Sequence, residues 1–104
     1  MPKTEEFEVH IGKPAGEIKI SFDNLGTVNK NKVEIQSDKG YLGLYFSYGT
    51  LVGVRGVGDR KTSENEWGKT TGKFLNELEP DKKARVPHEE VLQAASDRLK
   101  QVVC

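Results

Sequence analysis

The fifteen residues YLGLYFSYGTLVGVR, positions 41–55, are the most apolar stretch of the chain and constrain its fold more than any other. Leu42, Leu44, Phe46 and Tyr48 fall on one face of an extended chain, and Tyr41, Tyr45 and Ser47 fall on the other. Two such runs flank Gly49 and Thr50. Glycine takes the positive φ that the first central position of a type II′ turn requires, so a two-residue hairpin is predicted there. This turn pairs Tyr48 with Leu51 and sets Phe46 opposite Gly53 and Tyr45 opposite Val54. Gly43 and Gly53 inside the runs signal a bulge, a bend, or room for a neighbouring aromatic.

The same two-residue period appears upstream. Phe7, Val9 and Ile11 alternate with Glu8 and His10, and Ile18, Ile20 and Phe22 repeat the pattern after the turn material KPAG. Val33 and Ile35 mark a third strand, closed by SDKG. Beyond residue 55, GVGDRK reads as a loop and TSENEW as a short extended piece returning Trp67 to the sheet. Phe74, Leu75 and Leu78 then sit at helical spacing, with Thr70 or Thr71 as N-cap and Pro80 as the stop. The last helix is the clearest. Pro87 suits its first position, Glu89 and Glu90 its positive end, and Arg98 and Lys100 its negative end. Val91, Leu92, Ala95, Leu99, Val102 and Val103 form its apolar stripe. Strands first and helices last predict a single α+β domain over residues 1–104. Its sheet is largely antiparallel, of about five strands, followed by a short helix and a C-terminal amphipathic helix packed on one sheet face.

A chain of 104 residues holds one modest core, in which a deep cleft is hard to build. Sixteen basic and sixteen acidic residues cancel. Residues 55–85 carry eight basic and six acidic groups, a mild local excess. A protein that lives on nucleic-acid phosphates usually shows a larger one. The single cysteine, Cys104, excludes an internal disulfide. The opening MPKTEEFEVH has neither the basic nor the apolar region of a signal peptide, and no apolar run reaches membrane-spanning length, so a cytoplasmic protein is expected.

WGKTTGK, residues 67–73, raises the question of a phosphate-binding loop. The P-loop needs a glycine five positions before Gly68, and Ser63 stands there instead. The intervening ENEW brings two carboxylates and an indole, so the P-loop reading falls. A helix start at Thr70 and Thr71, followed by Gly72 and Lys73, still offers backbone amides to an anion. The plainer reading is a capped helix with Lys69 and Lys73 solvated. His10 and His88 lie 78 positions apart, no Cys/His ligand spacing occurs, and adjacent carboxylates such as Glu89 and Glu90 point in different directions on a helix. No enzyme, metal or cofactor is expected.

Tyr41, Tyr45, Phe46, Tyr48 and Trp67 cluster mid-chain near Arg55, Arg60, Lys61, Lys69 and Lys73. With helices on one sheet face, Tyr41 and Tyr45 belong to the other. Aromatics beside basic groups serve as packing, as anchors for a protein partner, or as stacking platforms for bases.

SENEWGKTTGKFLNELEPDKKARVPHEEV, residues 63–91, together with the hairpin LYFSYGTLVGVR, resembles a family of small uncharacterised phage and prokaryotic proteins. That family carries Ser-x-Asn-x-Trp-x-x-Thr-Thr-Gly-Lys-His-Leu-Asn after a hairpin. Asn65, Trp67, Thr70, Thr71, Gly72, Lys73, Leu75 and Asn76 fit it, and Phe74 replaces its histidine. The resemblance spans residues 41–95 and brings no assigned activity. It implies a phage or mobile-element setting, hence the host cytoplasm.

The expectation is therefore a non-enzymatic binding protein. In that setting it is an accessory protein that docks on a host or phage protein, a counter-defence inhibitor being the concrete case. Its contact residues are Tyr41, Tyr45, Arg55, Trp67, Lys69 and Lys73. The alternative is a binder of a small nucleotide or single-stranded nucleic acid through the amides of residues 70–73. A structural homodimer is the third reading.

Overall fold

The computed structural model describes residues 4–9, 17–27 and 29–103. Among the described residues, six antiparallel strands follow one another in space as in sequence: β1 (Thr4–Val9), β2 (Ile18–Asn24), β3 (Lys30–Ser37), β4 (Gly40–Ser47), β5 (Thr50–Arg55) and β6 (Arg60–Thr62). Two helices complete the α+β fold, α1 (Lys69–Leu78) and α2 (His88–Val103), joined by a 3₁₀ turn at Lys82–Ala84. The predicted antiparallel sheet is present, with β6 as a three-residue addition to the expected five strands. His10, Ile11, the KPAG turn and Cys104 lie outside the described residues.

Alternation decides the faces, because residues directly paired across antiparallel strands share one. Ile20, Ile35 and Leu42 form one such row, and Phe22, Val33, Leu44 and Val54 form the next. α2 covers this face. Its Val91 and Val102 complete a buried aliphatic core with Ile18, Ile35, Leu42 and Val54. The expected stripe on α2 is narrower than its sequence suggests, since Leu92 and Leu99 remain 45% and 39% exposed. Pro87 stands one position before the helix and accepts the amides of Glu90 and Val91 through its carbonyl.

The opposite face carries Lys32, Glu34, Tyr41, Tyr45 and Arg55. The tyrosines do lie opposite α2, but the expectation that the helices share one face is corrected. α1 packs here, over the β4–β5 end, so the two helices lie on opposite sides of the sheet. A β-bulge makes this possible. Tyr45 pairs with Gly53 and Phe46 with Leu51, which leaves Val52 as the extra residue. Val52 and Val54, two positions apart, consequently enter different cores: Val54 lies under α2, and Val52 packs with Phe74 and Leu75 of α1. Gly53 belongs to the same arrangement, because a Cβ there would stand 3.2 Å from the Leu78 side chain.

The β4–β5 turn corrects the predicted register. Ser47 pairs with Thr50, and the turn residues are Tyr48 and Gly49, with φ of 51° and 79°. Two positive φ values suit a type I′ turn rather than II′, with glycine in the second central position. Tyr48 therefore points into solvent, and Ser47 turns inward. Gly43 explains itself differently: a Cβ on it would lie 2.9 Å from the Tyr41 hydroxyl.

Candidate functional site

α1 begins earlier than the sequence suggests. Its N-cap is Gly68, which has no side chain to offer, and Thr70 and Thr71 lie inside the helix rather than capping it. The helix runs ten residues, longer than the short segment expected after the threonines. Ser47, turned inward by the hairpin, packs against the first turn of α1. Its hydroxyl meets that of Thr71 at 2.9 Å in the interface, so each buried hydroxyl satisfies the other. Phe74 and Leu75 bury beside them, each worth roughly 1.5–3 kcal/mol as a fully buried apolar side chain.

The approach to α1 is held by Asn65. Its Oδ1 accepts the Trp67 amide at 3.0 Å, and its Nδ2 donates to the Gly68 carbonyl at 3.3 Å. Gly72 leaves room for this side chain, since a Cβ there would sit 2.9 Å from Nδ2. Trp67, 39% exposed, stands edge-on to His88 with ring centroids 5.0 Å apart. His88 donates from Nε2 to the Leu51 carbonyl at 2.8 Å. The tryptophan thus returns to the start of α2 rather than to the sheet.

Between α1 and the segments that flank it runs a groove of about 490 Å³. Lys69, Gly72, Lys73 and Asn76 form one wall; Glu64, Asn65, Lys82 and Arg85 form the other. Its charge is one-sided, four cations against one carboxylate. Arg85 is fixed by neutral acceptors only: Nε donates to the Glu79 carbonyl at 3.1 Å, and Nη2 donates to Asn76 Oδ1 at 2.6 Å and to the Glu79 carbonyl at 2.9 Å. Among the described residues, Lys69, Lys73 and Lys82 meet no carboxylate within ion-pair distance. Elsewhere among the described residues several cations find carboxylate partners, although Arg55, Lys83 and Lys100 do not. Lys30 pairs with Glu77 at 3.6 Å, Lys32 with Glu34 at 3.5 Å, Arg60 with Glu79 at 3.4 Å, Lys61 with Glu90 at 3.2 Å, and Arg98 with Asp59.

The structure divides the residues singled out in the sequence. Lys69 and Lys73 share the groove, with Thr70 exposed beside them. Thr71 is buried in the interface and unavailable to a ligand. Tyr45 and Arg55 line a separate pocket of about 130 Å³, where the Tyr45 ring meets Phe74 edge-on at 6.5 Å. Tyr41 donates its hydroxyl to Glu34 Oε2 at 2.8 Å. Burial, then the hydrogen bond and charge of Glu34, push its pKa above the ordinary phenol value and keep it protonated. Lys82, Arg85, Glu64 and Asn76 had not been singled out as site residues. Of these, the basic excess over residues 55–85 signals Lys82 and Arg85 alone, and Asn76 stands in the sequence only as part of the motif. Among the described residues, no group of three or more His, Cys, Asp or Glu side chains is placed to hold a metal ion. No helix among them is long and apolar enough to cross a membrane.

The model of a family of unknown function, DUF8033, matches residues 16–93. The chain belongs to this family. The DUF8033 match takes in β2 to β6, all of α1 and the first residues of α2, and so includes both walls of the groove. No curated protein and no solved structure matches the chain.

Proposed function

We propose that the protein is a non-enzymatic binding protein that docks on another protein through the surface built by α1 and the 3₁₀ turn. The observation that carries this reading is the groove, which gathers four cations without a carboxylate partner among the described residues, whereas six of the other cations there are paired. A complementary acidic partner supplies the missing charges, steers association and sets register. Trp67 beside it offers a half-exposed aromatic of the kind that anchors interfaces. In the phage or mobile-element setting that the motif implies, the partner is a host or phage protein and the role is counter-defence.

The nucleotide reading draws on the same cations but needs a stacking surface. None of the groove residues is aromatic, and Tyr45 lies in a separate pocket with its ring against Phe74. A pull-down from the source-cell lysate tests the proposal, with Lys69→Glu/Lys73→Glu as the disabled bait and Lys100→Glu as the control. A stoichiometric protein lost only from the disabled bait is expected. Co-eluting nucleic acid with strong absorbance at 260 nm would overturn the docking reading, and recovery of the bait alone would turn attention to the homodimer.

A further inference from the structure

The groove also limits what its occupant looks like. Lys69 and Lys73 are four residues apart on α1, about 6 Å along the helix axis, and the wall continues to Asn76 for about 10 Å in all. An extended chain repeats its alternate side chains every 6.4–6.8 Å or so, close to the Lys69–Lys73 spacing.

The charges narrow it further. Arg85 spends Nε and Nη2 on neutral acceptors, which orients the guanidinium and leaves Nη1 to a ligand. Glu64 also lines the groove with its carboxylate unpaired, so it repels a uniformly anionic ligand and favours an N–H or a basic side chain at that point. Phosphates in a row suffer that repulsion and gain no stacking in return. Monoanionic carboxylates on alternate residues can straddle it.

Resting on the protein-docking reading, we infer that the groove takes an extended segment of the partner in which Asp or Glu residues alternate. The carboxylates of this segment at i and i+2 meet Lys69 and Lys73, with Arg85 and Lys82 closing from the other wall. The probe is a fluorescein-labelled heptapeptide, Gly-Glu-Ser-Glu-Ser-Glu-Gly, followed by anisotropy at low salt. Its glutamine counterpart, a labelled decathymidylate and inorganic phosphate serve as competitors.

Saturable binding of the acidic peptide is expected, weakened at least tenfold by Lys69→Glu/Lys73→Glu and several-fold by Arg85→Lys, and tightened by Glu64→Gln. Circular dichroism checks that the variants fold. Tighter binding of decathymidylate or phosphate would overturn the inference, as would peptide binding indifferent to the lysine reversal or absent altogether. If the peptide fails while capture of the partner still depends on Lys69 and Lys73, the docking reading stands and only the extended acidic segment falls. If neither depends on these lysines, both fall.

Discussion

α1 and α2 sit on opposite faces of one sheet, and their charges obey opposite rules. α2 follows the helix dipole: Glu89 and Glu90 occupy its first turn and Lys100 its last. α1 has no acidic residue in its first turn and no basic residue in its last, and Lys69 opens it. A cation at the positive end of a helix is locally unfavourable, typically by about 0.3–1 kcal/mol. The flanks differ in the same sense. α2 is tied down by Lys61–Glu90 and Arg98–Asp59, whereas the outer side of α1 presents cations without partners. Sites where local preference is violated while the packing is sound are where function is to be sought. α2 closes the main core. α1 is anchored firmly from beneath and left electrostatically unsatisfied above.

The first way to break this comparison is to remove the anchor. Leu75 is fully buried, and Leu75→Ala is expected to cost about 2–5 kcal/mol in urea unfolding. Leu92→Ala on the exposed shoulder of α2 should cost well under half as much. Equal losses would mean that α1 is not held by a core of its own.

A smaller effect is expected at the buried hydroxyl pair. Thr71→Val leaves the Ser47 hydroxyl without its partner and should cost about 1–3 kcal/mol. Adding Ser47→Ala should restore part of the loss, since the orphaned group is then gone. A double variant that is simply the sum of its parts would argue against a coupled pair at this interface.

Tyr41 sharpens the comparison from the open part of the α1 face. Its folded-state pKa lies above the ordinary 10.0, so its contribution is complete below pH about 10 and is lost as pH rises beyond that value. Tyr41→Phe should cost about 1 kcal/mol at neutral pH and flatten the alkaline limb of the stability profile. An unchanged alkaline limb would show that the Glu34 contact does not hold the phenol.

Much of this architecture was legible in the chain. The alternation of Ile18, Ile20 and Phe22, and of Val33 and Ile35, gave the strands their period, and the Pro87–Glu90 start and apolar stripe marked α2. The hairpin was legible in place but not in register. Gly49 serves equally as the first central residue of one turn or the second of the other, and the turn adopted goes with a contact between Ser47 and Thr71, 24 positions away. The bulge that sends Val52 and Val54 to different cores left only a trace, the glycine at 53. Thr70 and Thr71 resembled caps because threonine caps many helices, and only the tertiary contact reveals that Thr71 is interior. Half of the groove was visible as Lys69 and Lys73. Lys82 and Arg85 were not, because their convergence with these lysines is produced by the 3₁₀ turn folding back beside α1.

The most direct test pairs Lys69→Glu with its mirror image, Glu89→Lys, and reads both stability and binding of the acidic peptide. If α1 trades helix stability for a charged groove, Lys69→Glu raises stability by about 0.3–1 kcal/mol while binding falls, and Glu89→Lys lowers stability by a similar amount and leaves binding intact. A Lys69→Glu protein that is less stable and still binds the peptide would contradict the trade of helix stability for a charged groove.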